Sequence, residues 1–241
     1  MTKHQLAQAN LATLLNHPYF GRLVMAGISP NGMDALVLTA ISGRSEGSRN
    51  RNYKLGYGGR IYTTVADRRK QVGDPRLTLY DTQRENRGLG LFAASNGRQT
   101  GNCVASQYLY LSELLSGWGF EPDEPNFTPR ISCRFNINGI NGPISEFAIH
   151  RRDATGICAF DTWIYIPEMY GPGFGYYLCT YEERGNPLPS FVGEPRIVPI
   201  GKHPLLELVQ GLASWDYLAA VSLKRIPLNG SAPTVEIWNK R

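Results

Sequence analysis

Short apolar runs, separated by clusters of Gly, Pro and Asn, alternate along most of the chain. Two of these runs, 20–29 and 34–42, are joined across Pro30-Asn31-Gly32, and an Asn-Gly pair is typical of a hairpin turn. We therefore predict that the first two strands are antiparallel neighbours. Further strands are predicted at 60–67, 77–83, 89–94, 130–137, 145–151, 158–166, 174–181, 217–225 and 234–240.

Three segments instead carry apolar residues at helical spacing. The first is 4–16, the second is 102–115, and the third begins at Pro204, which is tolerated in the first turn of a helix. Few helices among many hairpin-connected strands predict an α+β protein built on antiparallel sheets. The chain also lacks the Gly-x-Gly-x-x-Gly motif of βαβ nucleotide-binding folds.

Composition narrows the possible functions only a little. With 241 residues, 42% of them hydrophobic and 19% charged, the chain suits one large or two small globular domains. The net charge of +5 permits phosphate or polyanion binding without requiring it. Four scattered cysteines without a Cys-x-x-Cys pair argue against a structural zinc site, so we expect no metal. Because the start of the chain is not apolar and no run has membrane-spanning length, we expect a cytoplasmic protein without a membrane partner.

The segment 42–51 concentrates groups that bind anions. It combines two glycines, several hydroxyl and amide side chains, and the arginines Arg44, Arg49 and Arg51. Glycines allow close approach of the backbone to a ligand, and arginines recognise phosphate with paired hydrogen bonds. The segment lacks the Gly-Lys-Ser/Thr of a Walker loop. A phosphate cradle and a solvated Arg/Ser loop are equally good interpretations of this pattern.

The segment 121–131 is a stiff acidic loop. Its three prolines fix their own φ and push the preceding residues away from helical conformations. Glu121, Asp123, Glu124 and Arg130 are therefore held on a scaffold with little freedom, as a site that presents charges in fixed directions requires. The alternative is a solvated connector, the commoner role of such loops.

Six short motifs follow one another along the chain: Gly43-Arg44-Ser45 with Asn50-Arg51, Leu79-Tyr80-Asp81, Ser95-Asn96-Gly97, Glu121-Pro122-Asp123-Glu124, Thr128-Pro129-Arg130-Ile131 and Thr180-Tyr181-Glu182. Taken together, these motifs resemble the archaeal-type inosine monophosphate (IMP) cyclohydrolases. The resemblance implies a four-layer α-β-β-α sandwich of antiparallel sheets similar to N-terminal-nucleophile hydrolases, formed as a single domain over 1–241 with 1–18 as an N-terminal helical extension. It also implies an enzyme that closes the purine ring of 5-formamidoimidazole-4-carboxamide ribonucleotide with loss of water, without metal or cofactor.

The resemblance also implies roles for individual residues. The positions that match the catalytic residues of the family are Arg51, Tyr80 and Glu121. The positions that match its substrate-binding elements, or that lie beside them, are Arg44, Ser45, Arg49, Asn50, Asn96, Asp123 and Arg130. Because the arginine segment is longer here, Arg49 and Arg51 are interchangeable candidates for the catalytic position. Two of these residues have non-catalytic alternatives. Tyr80 would then only pack within a sheet, and Arg130 would form a structural salt bridge with Asp123 or Glu124.

Three classes of function remain open at this stage. A cyclohydrolase requires a purine ribonucleotide substrate and no nucleic acid, and we expect it to be a homo-oligomer. A non-catalytic purine-nucleotide-binding protein predicts binding without conversion. A nucleic-acid-binding protein predicts affinity that falls steeply with salt. Because Phe120 and Asp81 differ from the residues common in the family, an enzyme acting on a related nucleotide is a further alternative.

Overall fold

A computed structural model describes residues 1–70, 74–139, 142–212 and 215–240. Within these ranges the chain folds as two antiparallel β-sheets with short helical segments, which confirms the predicted α+β class. The strands are β1 (Arg22–Ile28), β2 (Asp34–Ser42), β3 (Arg51–Leu55), β4 (Ile61–Val65), β5 (Asp81–Asn86), β6 (Leu91–Ser95), β7 (Arg130–Asn136), β8 (Ile144–Arg152), β9 (Cys158–Tyr165), β10 (Phe174–Cys179), β11 (Arg196–Pro199), β12 (Leu218–Pro227) and β13 (Thr234–Asn239). The helices are α1 (Lys3–Leu15), α2 (Glu46–Arg49), α3 (Pro75–Thr78), α4 (Leu111–Leu114), α5 (Pro167–Tyr170) and α6 (Pro204–Gly211).

The first sheet has the strand order β11-β10-β1-β2-β12-β13, and the second has the order β3-β4-β5-β6-β7-β8-β9. Strands β1 and β2 form the predicted hairpin, with Arg22 opposite Ile41 and Ile28 opposite Ala35. The second sheet is a meander, in which each strand pairs with the next one along the chain. Every strand of this sheet therefore reverses direction, so the starts of β3, β5 and β7 lie at one end.

The two sheets pack face to face around a shared apolar core. Val24 and Val37 of the first sheet belong to the same buried cluster as Phe92, Phe135 and Phe147 of the second. At one side the sheets are also joined by a side chain: the Asn239 amide accepts the Tyr53 backbone N–H at 2.7 Å and donates to the Tyr53 carbonyl at 3.1 Å. These contacts fix the relative position of the two sheets and so of the strand ends that carry the candidate site.

Helical segments pack against both sheets. Helix α1 packs against β11, and α6 packs against β12. On the second sheet, Leu91 and Ala93 alternate with the core-facing Phe92 and pack against the 3₁₀ segment Arg98–Val104 and α4. None of the helices in the described ranges is long and apolar enough to cross a membrane. The likeness to N-terminal-nucleophile hydrolases stays a prediction.

The predicted helix over 102–115 is wrong. This stretch instead contains the end of a 3₁₀ segment, an extended linker in which Tyr108 is 82% exposed, and the single turn α4. The reason is the buried guanidinium of Arg134, which donates to the carbonyls of Cys103, Ser106 and Leu109 at 3.4, 2.9 and 2.7 Å. A continuous helix would use those carbonyls for its own i→i+4 bonds, so the tertiary partner overrides the apolar periodicity.

The strand predicted at 77–83 is wrong in its first half. Asp74 caps the short helix α3 by accepting the Arg76 backbone N–H at 2.8 Å, with Pro75 in the first turn. The strand β5 begins only at Asp81, so Tyr80 lies at its entrance. Strands β3 and β11, which the sequence did not indicate, complete the two sheets.

Candidate functional site

Strand ends from both sheets meet at one end of the sandwich and carry the candidate side chains. Arg22 begins β1 where Ser42 ends β2, since Arg22 lies opposite Ile41. Arg51 begins β3, Tyr80 directly precedes β5, and Arg130 begins β7. The antiparallel meander places these three starts at the same end of the second sheet. The site is therefore built by topology from segments that are far apart in sequence.

The three predicted catalytic residues come together in this place. Arg51 is fully buried, Glu121 is 2% exposed and Tyr80 is 6% exposed. They lie near enough for electrostatic coupling. Tyr80 contributes to the pKa of Arg51, and the charge of Arg51 contributes to the pKa of Glu121. A catalytic role for each of them stays a prediction, but the convergence required for it is present.

Arg51 is anchored by the backbone around it. Its Nε donates to the Ser48 carbonyl at 2.7 Å, and its Nη2 donates to the Ser42 carbonyl at 3.3 Å. Burial, reinforced by the positive charge of the neighbouring Arg22, lowers the pKa of Arg51 to about 10. Arg49 is oriented differently, because its Nη1 donates to the carbonyls of Gly43 and Arg44 at 3.1 and 2.7 Å. Of the two arginines, Arg51 is therefore the one that contributes to the buried cluster.

Arg22 is a member of this cluster that the sequence analysis missed. Burial disfavours its charge, but the neighbouring hydroxyls of Tyr80 and Tyr19 and the carboxyl of Glu121 more than offset this, so the pKa of Arg22 lies above its ordinary value. The available signal was an arginine at the start of the strongly apolar strand Arg22–Ile28. A cation in that position is expected only where the strand end faces other polar groups.

Glu121 has the most perturbed carboxyl group of the site. Burial raises its pKa to about 7, against the opposing effects of the positive charges on Arg22 and Arg130. The nearest of these contacts joins Arg130 Nη1 to Glu121 Oε1 at 3.5 Å. A carboxyl group that titrates near neutrality both accepts and returns a proton under physiological conditions, which suits general acid–base chemistry.

Three buried polar atoms of the cluster have no hydrogen-bond partner among the residues that the structure describes. They are Arg22 Nε, Arg51 Nη1 and Tyr80 Oη. Leaving a single buried donor unpaired costs about 1–3 kcal/mol, so three of them in one cluster are unusual for a core. Such a cluster is typical of a site that supplies donors to a bound ligand.

The acidic loop is fixed by hydrogen bonds of its own. Asp123 accepts the Thr128 backbone N–H at 2.6 Å and also the Thr128 hydroxyl, which in turn lies 2.6 Å from the Tyr181 hydroxyl. Asn96 donates to the Pro129 carbonyl at 2.7 Å and accepts the Ile131 N–H at 2.8 Å. These bonds make Asp123 and Asn96 positioning residues of the loop, and any contact of theirs with a substrate stays a prediction.

Much of the arginine segment is also used to hold its own shape. The Ser45 hydroxyl caps α2 by accepting the Ser48 N–H at 3.1 Å. The Asn50 amide donates to the carbonyls of Asp67 and Lys70 at 2.9 and 3.0 Å and accepts the Asp67 N–H at 2.7 Å. Arg44 lies on the surface, outside the buried cluster. Direct ligand contacts of Ser45 and Asn50 therefore stay predictions, whereas their role in shaping the segment is visible.

The raised pKa of Glu121 predicts how stability depends on pH. In the unfolded chain this carboxyl group titrates near 4.5, and in the folded protein near 7. The raised pKa of Glu121 therefore contributes roughly 3 kcal/mol to the free energy of unfolding below pH 4.5, and this contribution is lost as the pH rises through 7. We expect Glu121→Gln, which mimics the neutral acid, to be more stable than the wild type at pH 8 but not at pH 4.5.

Urea unfolding of both proteins across this pH range measures the effect. Burial lowers the pKa of His17 and His150, which changes stability in the opposite direction, so the difference between the two proteins is the informative quantity. A constant difference from pH 4.5 to 8 contradicts the prediction.

A comparison with protein families gives one match over most of the chain. The family model described as IMP cyclohydrolase-like protein matches residues 19–222, which include all of the site residues named above. The matched part begins after α1, so this helix lies outside it. A search of curated proteins returned no match. The family match confirms the resemblance drawn from the motifs.

Proposed function

Because the chain belongs to the family of IMP cyclohydrolase-like proteins, we propose that it closes the purine ring of 5-formamidoimidazole-4-carboxamide ribonucleotide to give IMP and water. The observation that supports this best is the buried cluster of Glu121, whose pKa is about 7, with unpartnered donors on Arg22, Arg51 and Tyr80. The cluster offers a proton acceptor and several hydrogen-bond donors close to one another in the protein interior.

Ring closure has three chemical requirements. The carboxamide nitrogen must be held against the formyl carbon, a proton must leave that nitrogen, and the formyl oxygen must gain protons so that it departs as water. The new C–N bond forms as the π bond of the formyl carbonyl breaks and negative charge develops on its oxygen. The C–O bond then breaks, and the departing water carries one proton from the attacking nitrogen and one from the formamido nitrogen, which becomes doubly bonded to the former formyl carbon. The site therefore has to provide a base for the nitrogen and donors for the oxygen.

We assign these tasks to the residues of the cluster. The Glu121 carboxylate takes the proton from the attacking nitrogen and returns it to the departing oxygen, as a group with a pKa near neutrality is able to do. Tyr80 Oη and Arg51 Nη1 donate hydrogen bonds to the developing oxyanion, with Arg22 beside them. Because these donors are already buried and fixed, they require little reorganisation during the reaction.

The charge balance of the site favours an anionic substrate. Arg22, Arg51 and Arg130 all act on Glu121, whereas the acidic neighbour that acts on it within the described ranges is Asp123. Even with both carboxyl groups ionised, three cations face two anions, and protonation of Glu121 increases the excess. A nucleoside monophosphate supplies the missing negative charge.

Turnover of the formamido ribonucleotide, followed by the formation of IMP, tests the proposal. We expect Tyr80→Phe to lower kcat about 100-fold, the usual effect of removing one donor to an oxyanion. Its thermal stability should not fall, because the lost hydroxyl has no protein partner among the described residues. The matched control is Tyr108→Phe, whose ring is 82% exposed.

Absence of any IMP formation by the wild-type protein contradicts the proposal. Tight binding of IMP without turnover instead supports the alternative of a non-catalytic purine-nucleotide-binding protein. Equal kcat values for Tyr80→Phe and Tyr108→Phe leave the reaction intact but remove Tyr80 from the mechanism.

A further inference from the structure

A group of arginines without acidic partners surrounds the candidate site. Among the residues covered by the structure, no carboxylate lies within 4.0 Å of the guanidinium group of any of these five. The five are Arg22, Arg44, Arg49, Arg51 and Arg184. Arg51 is buried and Arg22 is half-buried with a buried Nε, whereas Arg44 and Arg184 lie at the surface. Arg184 is absent from every motif that the sequence indicated.

Arg44 and Arg184 are each held by a hydrogen bond to the backbone of another chain segment. Arg44 Nη1 donates to the carbonyl of Gly185, the residue next to Arg184, at 2.9 Å. Arg184 Nε donates to the Pro18 carbonyl at 3.4 Å, in the segment that leads into β1. Each arginine uses a single N–H in these contacts, so most of the five donors of each guanidinium stay available.

An aromatic platform supports both guanidinium groups. Arg44 lies over the ring of Tyr19, with its Cζ 5.6 Å from the ring centroid, and Arg184 lies over Tyr217 at 5.3 Å. The two rings contact each other edge to face, with centroids 5.6 Å apart. Two like charges are thus held on adjoining rings without a carboxylate between them, an arrangement that a bound anion would stabilise.

The platform is connected to the acidic loop. Tyr19 stacks on Tyr181 with ring centroids 5.9 Å apart, and the Tyr181 hydroxyl lies 2.6 Å from that of Thr128. The Thr128 carbonyl accepts the Glu121 backbone N–H at 2.8 Å. Two stacked rings, Tyr19 and Tyr181, therefore separate Arg44 from Thr128 in the acidic loop that carries Glu121.

From this arrangement we infer that Arg184 and Arg44 together bind the phosphate group of the nucleotide. The inference rests on the proposed function for the identity of the nucleotide, but the phosphate contact itself is a matter of binding. Arg184 lies in the loop after β10, and Arg44 lies in the turn after β2. Two separate segments of the chain would therefore hold the same phosphate group. The ribose and base then extend toward Glu121.

Calorimetric titration with IMP, inosine and inorganic phosphate tests the inference. We expect wild-type protein to bind IMP more tightly than inosine, and excess inorganic phosphate to compete with IMP. Arg184→Gln and Arg44→Gln should each weaken IMP binding about 10- to 100-fold and leave inosine binding unchanged, since one charge-assisted contact is lost. The control is Arg225→Gln. Arg225 lies on β12 beside Asp34, at the end of β2 that is far from Arg44, so this variant should bind IMP as the wild type does.

The outcomes separate this inference from the proposed ring closure. Phosphate-dependent binding that needs Arg184, in a protein without turnover, supports the inference and contradicts the reaction. Turnover with IMP binding unaffected by Arg184→Gln overturns the inference and leaves the reaction standing. Wild-type protein that binds IMP no better than inosine, or that binds neither of them, also overturns it.

Discussion

Glu121→Gln should lower kcat/KM for ring closure by about 100- to 10,000-fold, the usual contribution of a general acid–base group. The substitution keeps the shape and hydrogen-bonding capacity of the side chain but removes its ability to exchange a proton. Because Gln mimics the neutral acid that burial favours, the variant should be folded and, at neutral pH, at least as stable as the wild type. Steady-state kinetics with the formamido ribonucleotide, together with thermal unfolding, measure both effects.

The matched control is Glu124→Gln, on the same acidic loop but exposed to solvent. We expect this control to retain wild-type activity. For the wild-type enzyme, kcat/KM should rise with pH through about 7, because the carboxylate is the form that accepts the proton from the attacking nitrogen. Similar activities of the two variants, or a rate that falls as the pH rises through 7, would exclude Glu121 as the base.

Arg134→Met should destabilise the folded protein by about 3–5 kcal/mol, the usual cost of removing one partner of a buried ion pair. Arg134 is 1% exposed, its Nε donates to Glu146 at 2.7 Å, and its remaining donors bind three backbone carbonyls of the linker. Without the guanidinium group, the Glu146 charge and these carbonyls lose their partner together. Urea unfolding at neutral pH measures the loss.

The control for this prediction is Arg69→Met, whose side chain is 89% exposed and pairs only with the nearby Asp67. Exposed pairs of this kind contribute at most about 1 kcal/mol. Arg134→Lys should be intermediate, because an ammonium group restores the charge but cannot reach all four acceptors. A loss below 1 kcal/mol for Arg134→Met would show that the linker does not depend on this side chain.

Elements set by local chemistry were predicted well. The Asn-Gly hairpin between β1 and β2, the helix α1, and the start of α6 at Pro204 all follow from short-range patterns. Predictions failed where a distant residue competes with local propensity. Arg134 lies on β7, well after the linker in the sequence, and its hydrogen bonds to the linker carbonyls prevent a continuous helix. No local signal in 102–115 indicates this contact.

The candidate site shows the same division. Motifs in the sequence indicated Arg51, Tyr80 and Glu121, because charged residues beside glycines, prolines and strand ends suggest fixed polar groups. Arg22 and Arg184 carry no such signal, since one begins an apolar strand and the other lies in a Glu- and Pro-containing loop. Asn50, Asn96 and Asp123 were predicted as substrate-binding residues for the same reason. The structure shows that their side chains hold the backbone in place, and their contacts with a substrate stay predictions.

The sequence by itself determined the α+β class, most of the strands, the family and the two charged segments of the site. These properties depend on hydrophobic periodicity, turn residues and short motifs, which act over a few positions. Only the tertiary structure decided that Arg22, Arg51, Tyr80 and Glu121 form one cluster, because antiparallel pairing brings together strand ends that are distant in the chain. The shifted pKa of Glu121 has the same origin, since desolvation is a property of the packed molecule and not of the acidic loop alone.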